Sequence, residues 1–101
     1  MSEPFPHQAE IIQVLLSAEP SIKKIFLFGS RVEGMNKNGS SDIDLGIIAE
    51  SKLSMGQLAM INIALDTVDT LYSIDVVDFT SRKDEFAEEA MSRIEVLYEK
   101  G

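Results

Sequence analysis

Apolar residues recur three and four positions apart in three stretches of the chain, and this spacing predicts three amphipathic helices. The first stretch covers residues 7–18 and ends before Pro20, which stops a helix. The second begins at Ser54, where Gln57 completes a capping box, and continues to about residue 70. The third follows Ser81, and its apolar face is formed by Phe86, Ala90, Ile94 and Leu97.

Three shorter stretches, rich in β-branched and aromatic residues, predict strands at residues 24–28, 42–49 and 73–79. In the second stretch Ile43, Leu45 and Ile47 alternate with other residues and therefore share one face. A helix between the second and third strands favours a parallel pair, because parallel strands need a long crossover. We therefore predict a single domain over residues 1–101 of the α/β (α+β) class. It would hold a small mixed sheet of three or four strands, with helices packed on one face.

The composition narrows the possible partners. Nine basic and seventeen acidic residues give a net charge of −8, which disfavours binding to duplex nucleic acid or to anionic lipid. The chain has no cysteine, which suits a reducing compartment. No apolar run is long enough to span a bilayer. The first residues also lack the basic and apolar regions of a signal peptide. We expect a cytoplasmic protein without a membrane segment.

Gly29 and Ser30 directly follow the first predicted strand. A glycine lets the backbone turn tightly and lets a phosphate group approach it. Backbone N–H groups and the Ser30 hydroxyl can then bind phosphate oxygens. Taken alone, however, a Gly-Ser pair is also typical of an ordinary turn.

Asp42 and Asp44 open the second predicted strand. Residues two apart on a strand point to the same face, roughly 7 Å from each other. Two carboxylates held this way repel each other unless a cation lies between them, and Mg²⁺ prefers such oxygen ligands. The alternative for an isolated Asp-x-Asp is a solvated strand end.

The third predicted strand contains Asp75 and Asp78. Their odd spacing places them on opposite faces, so only one of them can join Asp42 and Asp44. Asp75 lies deeper in the strand and is the better candidate, whereas Asp78 resembles a strand-end residue. A phosphate-binding turn with three carboxylates on adjacent strands suits phosphoryl transfer with two metal ions. Asp42 and Asp44 would then bridge both ions, and Asp75 would bind the ion at the nucleophile and accept its proton.

The segments GSRVEG at residues 29–34 and SDIDL at residues 41–45 resemble the signature of the DNA polymerase beta-type nucleotidyltransferase superfamily. They are most similar to its minimal (MNT) branch, and the resemblance extends over residues 25–79. It implies a palm-like fold, with Gly29 and Ser30 at the triphosphate and Asp42, Asp44 and Asp75 as ligands of two Mg²⁺ ions. Eleven residues separate Ser30 from Asp42, one more than is usual for the branch, and a loop absorbs such an insertion easily.

The resemblance also implies a function. Minimal members of the family transfer a nucleoside monophosphate, and we expect AMP from ATP to be transferred here. Such proteins often act as antitoxins beside HEPN-type proteins, and some adenylylate the partner toxin. The alternative is a non-catalytic antitoxin or binding module that acts by contact alone.

The second predicted helix has more apolar residues than one core-facing stripe requires. The expected stripe consists of Leu58, Ile61, Leu65 and Val68, but the apolar surface extends around the cylinder through Met55, Ala59, Met60 and Ile63. Either this helix is deeply packed within the domain, or a HEPN-type partner or a second copy covers its outer side. We predict an oligomer with Met55, Ala59 or Ile63 near the contact.

Overall fold

The computed structural model describes residues 8–28, 42–68, 73–81 and 85–100. Predicted features at Gly29, Ser30 and residues 31–41 lie outside these ranges. The described segments form three helices and four strands, and none of these helices has the length and apolar character to cross a bilayer. In chain order they are α1 (Gln8–Ala18), β1 (Ile22–Leu27), β2 (Asp42–Ala49), α2 (Met55–Leu65), β3 (Ser73–Asp78), α3 (Glu85–Met91) and β4 (Glu95–Glu99).

The four strands form one mixed sheet in the order β3-β2-β1-β4. Strand β1 lies in the middle and pairs antiparallel with both β2 and β4. Strands β2 and β3 are parallel, and α2 makes the crossover between them. The predicted mixed sheet and the predicted parallel pair are therefore confirmed.

Helices α1 and α2 cover one face of the sheet. Ile11 and Leu15 of α1 and Ile61 of α2 are fully buried there. The odd-numbered residues of β2 point towards them, as the alternation of apolar residues predicts. This main core consists of Ile11, Leu15, Ile22, Ile25, Leu27, Ile43, Leu45, Ile47, Ala49, Leu53, Ile61, Leu65 and Val68.

A second, smaller core lies on the opposite face. Phe26, Phe28 and Phe79 pack together there, and Ala87 of α3 packs against them. Helix α3 therefore covers part of the face that α1 and α2 leave open, so the prediction that the helices pack on one face holds for α1 and α2 but not for α3. Because α3 is short, part of this face remains available for polar strand residues.

The last helix is shorter than predicted, and a fourth strand follows it. Helix α3 ends at Met91, where the Ser92 N–H donates to the carbonyls of Glu88 and Glu89. Residues 95–99 then form a strand beside β1, so Leu97 belongs to a strand and Ile94 to the connection before it. The prediction of one helix carrying Ile94 and Leu97 was wrong. The four apolar residues fit a helical spacing by chance, whereas the run of Val, Leu and Tyr favours a strand.

The capping box predicted for α2 is confirmed. The Ser54 hydroxyl accepts from the Gln57 N–H at 3.1 Å, and the Gln57 side-chain oxygen accepts from the Ser54 N–H at 2.7 Å. The helix ends at Leu65 rather than near residue 70. The hydroxyl of Thr67 bonds the carbonyl of Ala64 at 2.6 Å, and such a local bond competes with helix continuation.

Glu19, which follows α1, is the buried charged residue among those described. Its carboxylate accepts from the Ser21 hydroxyl at 2.5 Å and from the Gln57 side-chain amide at 3.0 Å. Because Gln57 also caps α2, these bonds join the end of α1 to the start of α2. A buried carboxylate with both oxygens hydrogen-bonded stabilises this arrangement.

Candidate active site

The carboxylates predicted to act together lie on the two parallel strands. The Cα register pairs Asp44 of β2 with Asp75 of β3, and Asp42 with Ser73. Neighbouring strands run about 4.8 Å apart, so Asp44 and Asp75 are direct neighbours across the sheet. Both belong to the face of Phe26 and Phe28 rather than to the face covered by α1 and α2.

Asp42 is the first residue of β2. Its backbone position is described, whereas its side chain lies outside the described part of the structure. The Asp42 Cα pairs with that of Ser73, two residues before the Asp44–Asp75 pair on each strand. The position of Asp42 thus extends the Asp44–Asp75 pair along β2.

The predicted phosphate-binding turn begins where β1 ends. Gly29 and Ser30 are outside the described residues, but Phe28, which directly precedes them, is described. The Phe28 N–H donates to the Asp44 carbonyl at 3.1 Å. The chain therefore enters the Gly29-Ser30 segment beside the strand position of Asp44.

Like charges dominate this edge of the sheet. Asp75 is exposed and Asp44 is half-buried, and the register holds the two carboxylates on adjacent strands. Adjacent carboxylates are costly when both are ionised, unless a cation or strong donors compensate them. Among the residues that the structure describes, no three Asp, Glu, His or Cys side chains lie close enough together to hold a metal ion. Asp44 and Asp75 are two oxygen donors of the kind Mg²⁺ prefers, and a third would come from Asp42.

Asp78 has a different environment. It pairs with Ile47, which places it on the α1 and α2 side of the sheet. Its carboxylate accepts from the Leu53 N–H at 2.8 Å and the Thr80 N–H at 2.9 Å, and also from the Thr80 hydroxyl. These bonds fasten the segment before α2 to the end of β3, so the contacts of Asp78 are structural.

Thr80 is a supporting residue that the sequence reasoning missed. Its hydroxyl accepts from the Ala49 N–H at 2.9 Å while donating to Asp78. It thereby joins the ends of β2 and β3, the two strands that carry the carboxylates. The spacing of Asp78 and Thr80 was a usable signal, because an Asp side chain often bonds the backbone two residues later.

Gly46 is a second residue whose role the sequence did not reveal. A Cβ built on Gly46 would lie 2.3 Å from the ring of Phe26 and 2.9 Å from that of Phe79. The two rings have centroids 5.5 Å apart, and Phe28 lies edge-on to Phe79 at 5.3 Å. The absence of a side chain at Gly46 lets these rings pack onto β2, two residues beyond Asp44.

Several solved structures with the same fold are toxin–antitoxin complexes. One, described as the MntA-HpeT complex with a tyrosine-to-alanine mutation, matches with a TM-score of 0.71 and 23% identity over 92% of this chain and 72% of that chain. Another, a toxin–antitoxin structure with AMP-PNP, matches with a TM-score of 0.69 and 25% identity over 92% and 73% of the two chains. A third, of tri-AMPylated Shewanella oneidensis HEPN toxin with MNT antitoxin, matches with a TM-score of 0.67 and 22% identity over 97% and 74%.

The sequence comparison covers nearly the whole chain. No curated protein sequence matches it significantly. The family model described as polymerase beta, nucleotidyltransferase, matches residues 10–101, which include β2, β3 and all three aspartates of the candidate site. With the strand register of Asp44 and Asp75, this match means that the chain belongs to the polymerase beta nucleotidyltransferase family.

Proposed function

We propose that this chain is an MNT-type antitoxin that transfers AMP from ATP to a HEPN-type partner protein. The observation that carries the proposal is the register of Asp44 with Asp75, which sets two carboxylates side by side on adjacent strands. A module that bound a partner by contact alone would not need carboxylates held together at a sheet edge. The lack of cysteine agrees with a cytoplasmic location, where ATP is plentiful.

The reaction is an in-line displacement at the α-phosphorus of ATP. An acceptor hydroxyl of the partner forms a bond to this phosphorus, the bond to the bridging oxygen of the β-phosphate breaks, and pyrophosphate leaves. Two Mg²⁺ ions, when bound, would supply charge neutralisation for the attacking and leaving oxygens.

The residues divide this work by position. Asp42 and Asp44 would hold both ions at the start of β2. Asp75 would orient the acceptor hydroxyl and accept its proton. Gly29 and Ser30 would bind the triphosphate, and the bond between Phe28 and the Asp44 carbonyl supports this placement.

The structural neighbours support the choice of nucleotide and partner. One neighbouring complex contains AMP-PNP, a nucleoside triphosphate analogue. Another contains a HEPN toxin that carries three AMP groups, in complex with an MNT antitoxin. By analogy, we expect ATP as the donor and a HEPN-type protein as the acceptor for this chain.

A labelling experiment tests the proposal. The chain is incubated with Mg²⁺, a HEPN-type protein from the same genome, and ATP labelled on either its α- or its γ-phosphate. We expect the α label to appear on the partner and the γ label to be released with pyrophosphate. Asp44→Asn should abolish labelling, whereas Glu50→Gln, which changes an acid that is 61% exposed directly after β2, should not. Neutralisation of the partner without any transfer of label would instead support the non-catalytic antitoxin.

A further inference from the structure

Helices α1 and α2 leave a groove between their outer surfaces, on the side turned away from the sheet. The groove has a volume of about 550 Å³. Most of its lining is apolar and includes Val14 and Ala18 of α1 and Met60, Ile63 and Ala64 of α2, and Glu10 also lines it.

Two apolar side chains of this groove, Met60 and Ile63, are exposed, whereas Val14, Ala18 and Ala64 are half-buried. Met60 is 57% exposed and Ile63 is 60% exposed, whereas Ile61, between them in sequence, is fully buried against the sheet. Helix α2 therefore has apolar residues on both its inner and its outer side. Deep packing of α2 within the domain does not account for them, so the outer side is a candidate contact surface.

The charge around the groove indicates what would bind there. Helix α1 contains no lysine or arginine, and neither does the sequence from residue 53 to residue 81. Glu10 lies at the groove, Asp66 follows α2, and the whole chain has a net charge of −8. A ligand with basic groups beside an apolar surface is therefore favoured. A second copy of this chain would instead bring one acidic surface against another.

We propose that the groove between α1 and α2 is the docking site for an amphipathic helix of the partner protein, with apolar residues on one face and Lys or Arg on its flanks. A groove between two helices suits a helical ligand, whose apolar side chains would pack against Met60 and Ile63. The identity of the partner in this inference rests on the proposed function. The chemistry of the bound helix does not, because it follows from the groove itself.

The groove and the candidate active site lie on opposite sides of the sheet. The groove is formed by the helices that cover the Ile43 and Leu45 face, whereas Asp44 and Asp75 belong to the other face. A helix bound in the groove leaves the carboxylates accessible. The docked element and the segment that receives AMP must therefore be different parts of the partner assembly.

Binding of two designed peptides to the full chain tests the chemistry. One peptide is an amphipathic helix with leucine on one face and lysine on its flanks, and the other has glutamate in place of lysine. By calorimetry we expect the leucine–lysine peptide to bind and the leucine–glutamate peptide not to bind. Equal binding of the two peptides, or no binding of the first, would overturn the inference.

Two variants with the same change of charge locate the binding site. Ile63→Lys alters the groove, whereas Met55→Lys alters an 88% exposed methionine of the same helix that does not line it. We expect Ile63→Lys to weaken peptide binding by at least about tenfold and Met55→Lys to weaken it only slightly. Similar losses in both variants would show general charge attraction rather than docking in the groove. Thermal unfolding of each variant checks that the fold is retained.

The HEPN-type partner separates this inference from the proposed function. Ile63→Lys should weaken binding of that protein and raise the partner concentration needed for labelling, whereas Asp44→Asn should stop labelling and leave partner binding intact. Normal partner binding by Ile63→Lys would disprove the docking site and leave the transferase proposal standing. Peptide binding in the groove without any AMP transfer by the wild-type chain would disprove the transferase proposal and leave the docking site standing. A homodimer that Ile63→Lys dissociates would show that a second copy occupies the groove, which contradicts the inference.

Discussion

Asp44 and Asp75 are partners in the parallel register of β2 and β3. Residues paired this way lie on the same face of adjacent strands, about 4.8 Å apart. The register thus brings together two carboxylates that the sequence separates by a loop, a helix and a turn. Their proximity has consequences for nucleotide binding, for transfer and for the stability of the strands that hold them.

Removal of charge at the start of β2 should abolish Mg²⁺-dependent nucleotide binding. We expect the double variant Asp42→Asn, Asp44→Asn to lose measurable affinity for Mg²⁺-ATP, since amides are poorer ligands for a hard cation than carboxylates. The fold should persist, because the change relieves repulsion between like charges. Calorimetry with and without Mg²⁺ makes the measurement, and an unchanged affinity in the double variant would refute a metal site at these residues.

The two acids of β3 should respond differently to the same substitution. Asp75→Asn should lower AMP transfer by orders of magnitude, with little effect on stability, because Asp75 is exposed beside Asp44. Asp78→Asn should retain most of the transfer rate but lower the free energy of unfolding by about 1–3 kcal/mol, since an amide nitrogen cannot accept from the Leu53 N–H.

Turnover assays and urea unfolding of the two variants provide the comparison. The opposite ranking, with transfer depending on Asp78 and stability on Asp75, would mean that the register of β3 is wrong by one residue. A one-residue shift exchanges the faces of every side chain in a strand.

A methyl group at Gly46 should destabilise the domain. The new Cβ of Gly46→Ala would meet the Phe26 ring at 2.3 Å, and Phe26 is fully buried among other rings. We expect a loss of about 1–3 kcal/mol in the free energy of unfolding, as is typical of overpacked cores. Gly56→Ala is the matched control, because its nearest neighbour would be 3.8 Å away and alanine favours the helix. Equal stability of the two variants would argue against close packing over Gly46.

Loss of the Glu19 carboxylate should loosen the junction of α1 and α2. Glu19→Ala leaves the Ser21 hydroxyl and the Gln57 amide without their acceptor, which we expect to cost about 1–3 kcal/mol. Glu50→Ala serves as the control, since its side chain is 61% exposed and its ion pair with Lys100 spans 4.0 Å. Such exposed pairs contribute at most about 1 kcal/mol. Chemical unfolding of both variants measures the difference, and a cost for Glu19→Ala no greater than for Glu50→Ala would contradict the structural role of Glu19.

Local chemistry explains what could be predicted from the sequence. The alternation in β2 and the capping pair of Ser54 and Gln57 are determined by near neighbours, and both were predicted correctly. The parallel pairing of β2 and β3 followed from the helix between them. These features depend on spacing that can be read directly along the chain.

Features that depend on distant residues could not be predicted in the same way. Residues 95–99 form a strand because β1 offers them a free edge, whereas their apolar spacing also fits a helix. The burial of Glu19 depends on Gln57, and the need for glycine at position 46 depends on Phe26. In each case the partner lies on another element, so the sequence gives no local signal of the contact.

The pairing of β4 with β1 bears on how the chain folds during its synthesis. Strand β1 is made before β4, so one of its edges stays unpaired until β4 has been made and the Lys100 N–H can donate to the Lys23 carbonyl. An apolar strand with an open edge can pair with another chain and begin aggregation. Lys23 and Lys24 add positive charge to this edge, and charged side chains, lysine above all, discourage such pairing. The nascent protein is therefore vulnerable to aggregation in the interval between the synthesis of β1 and that of β4.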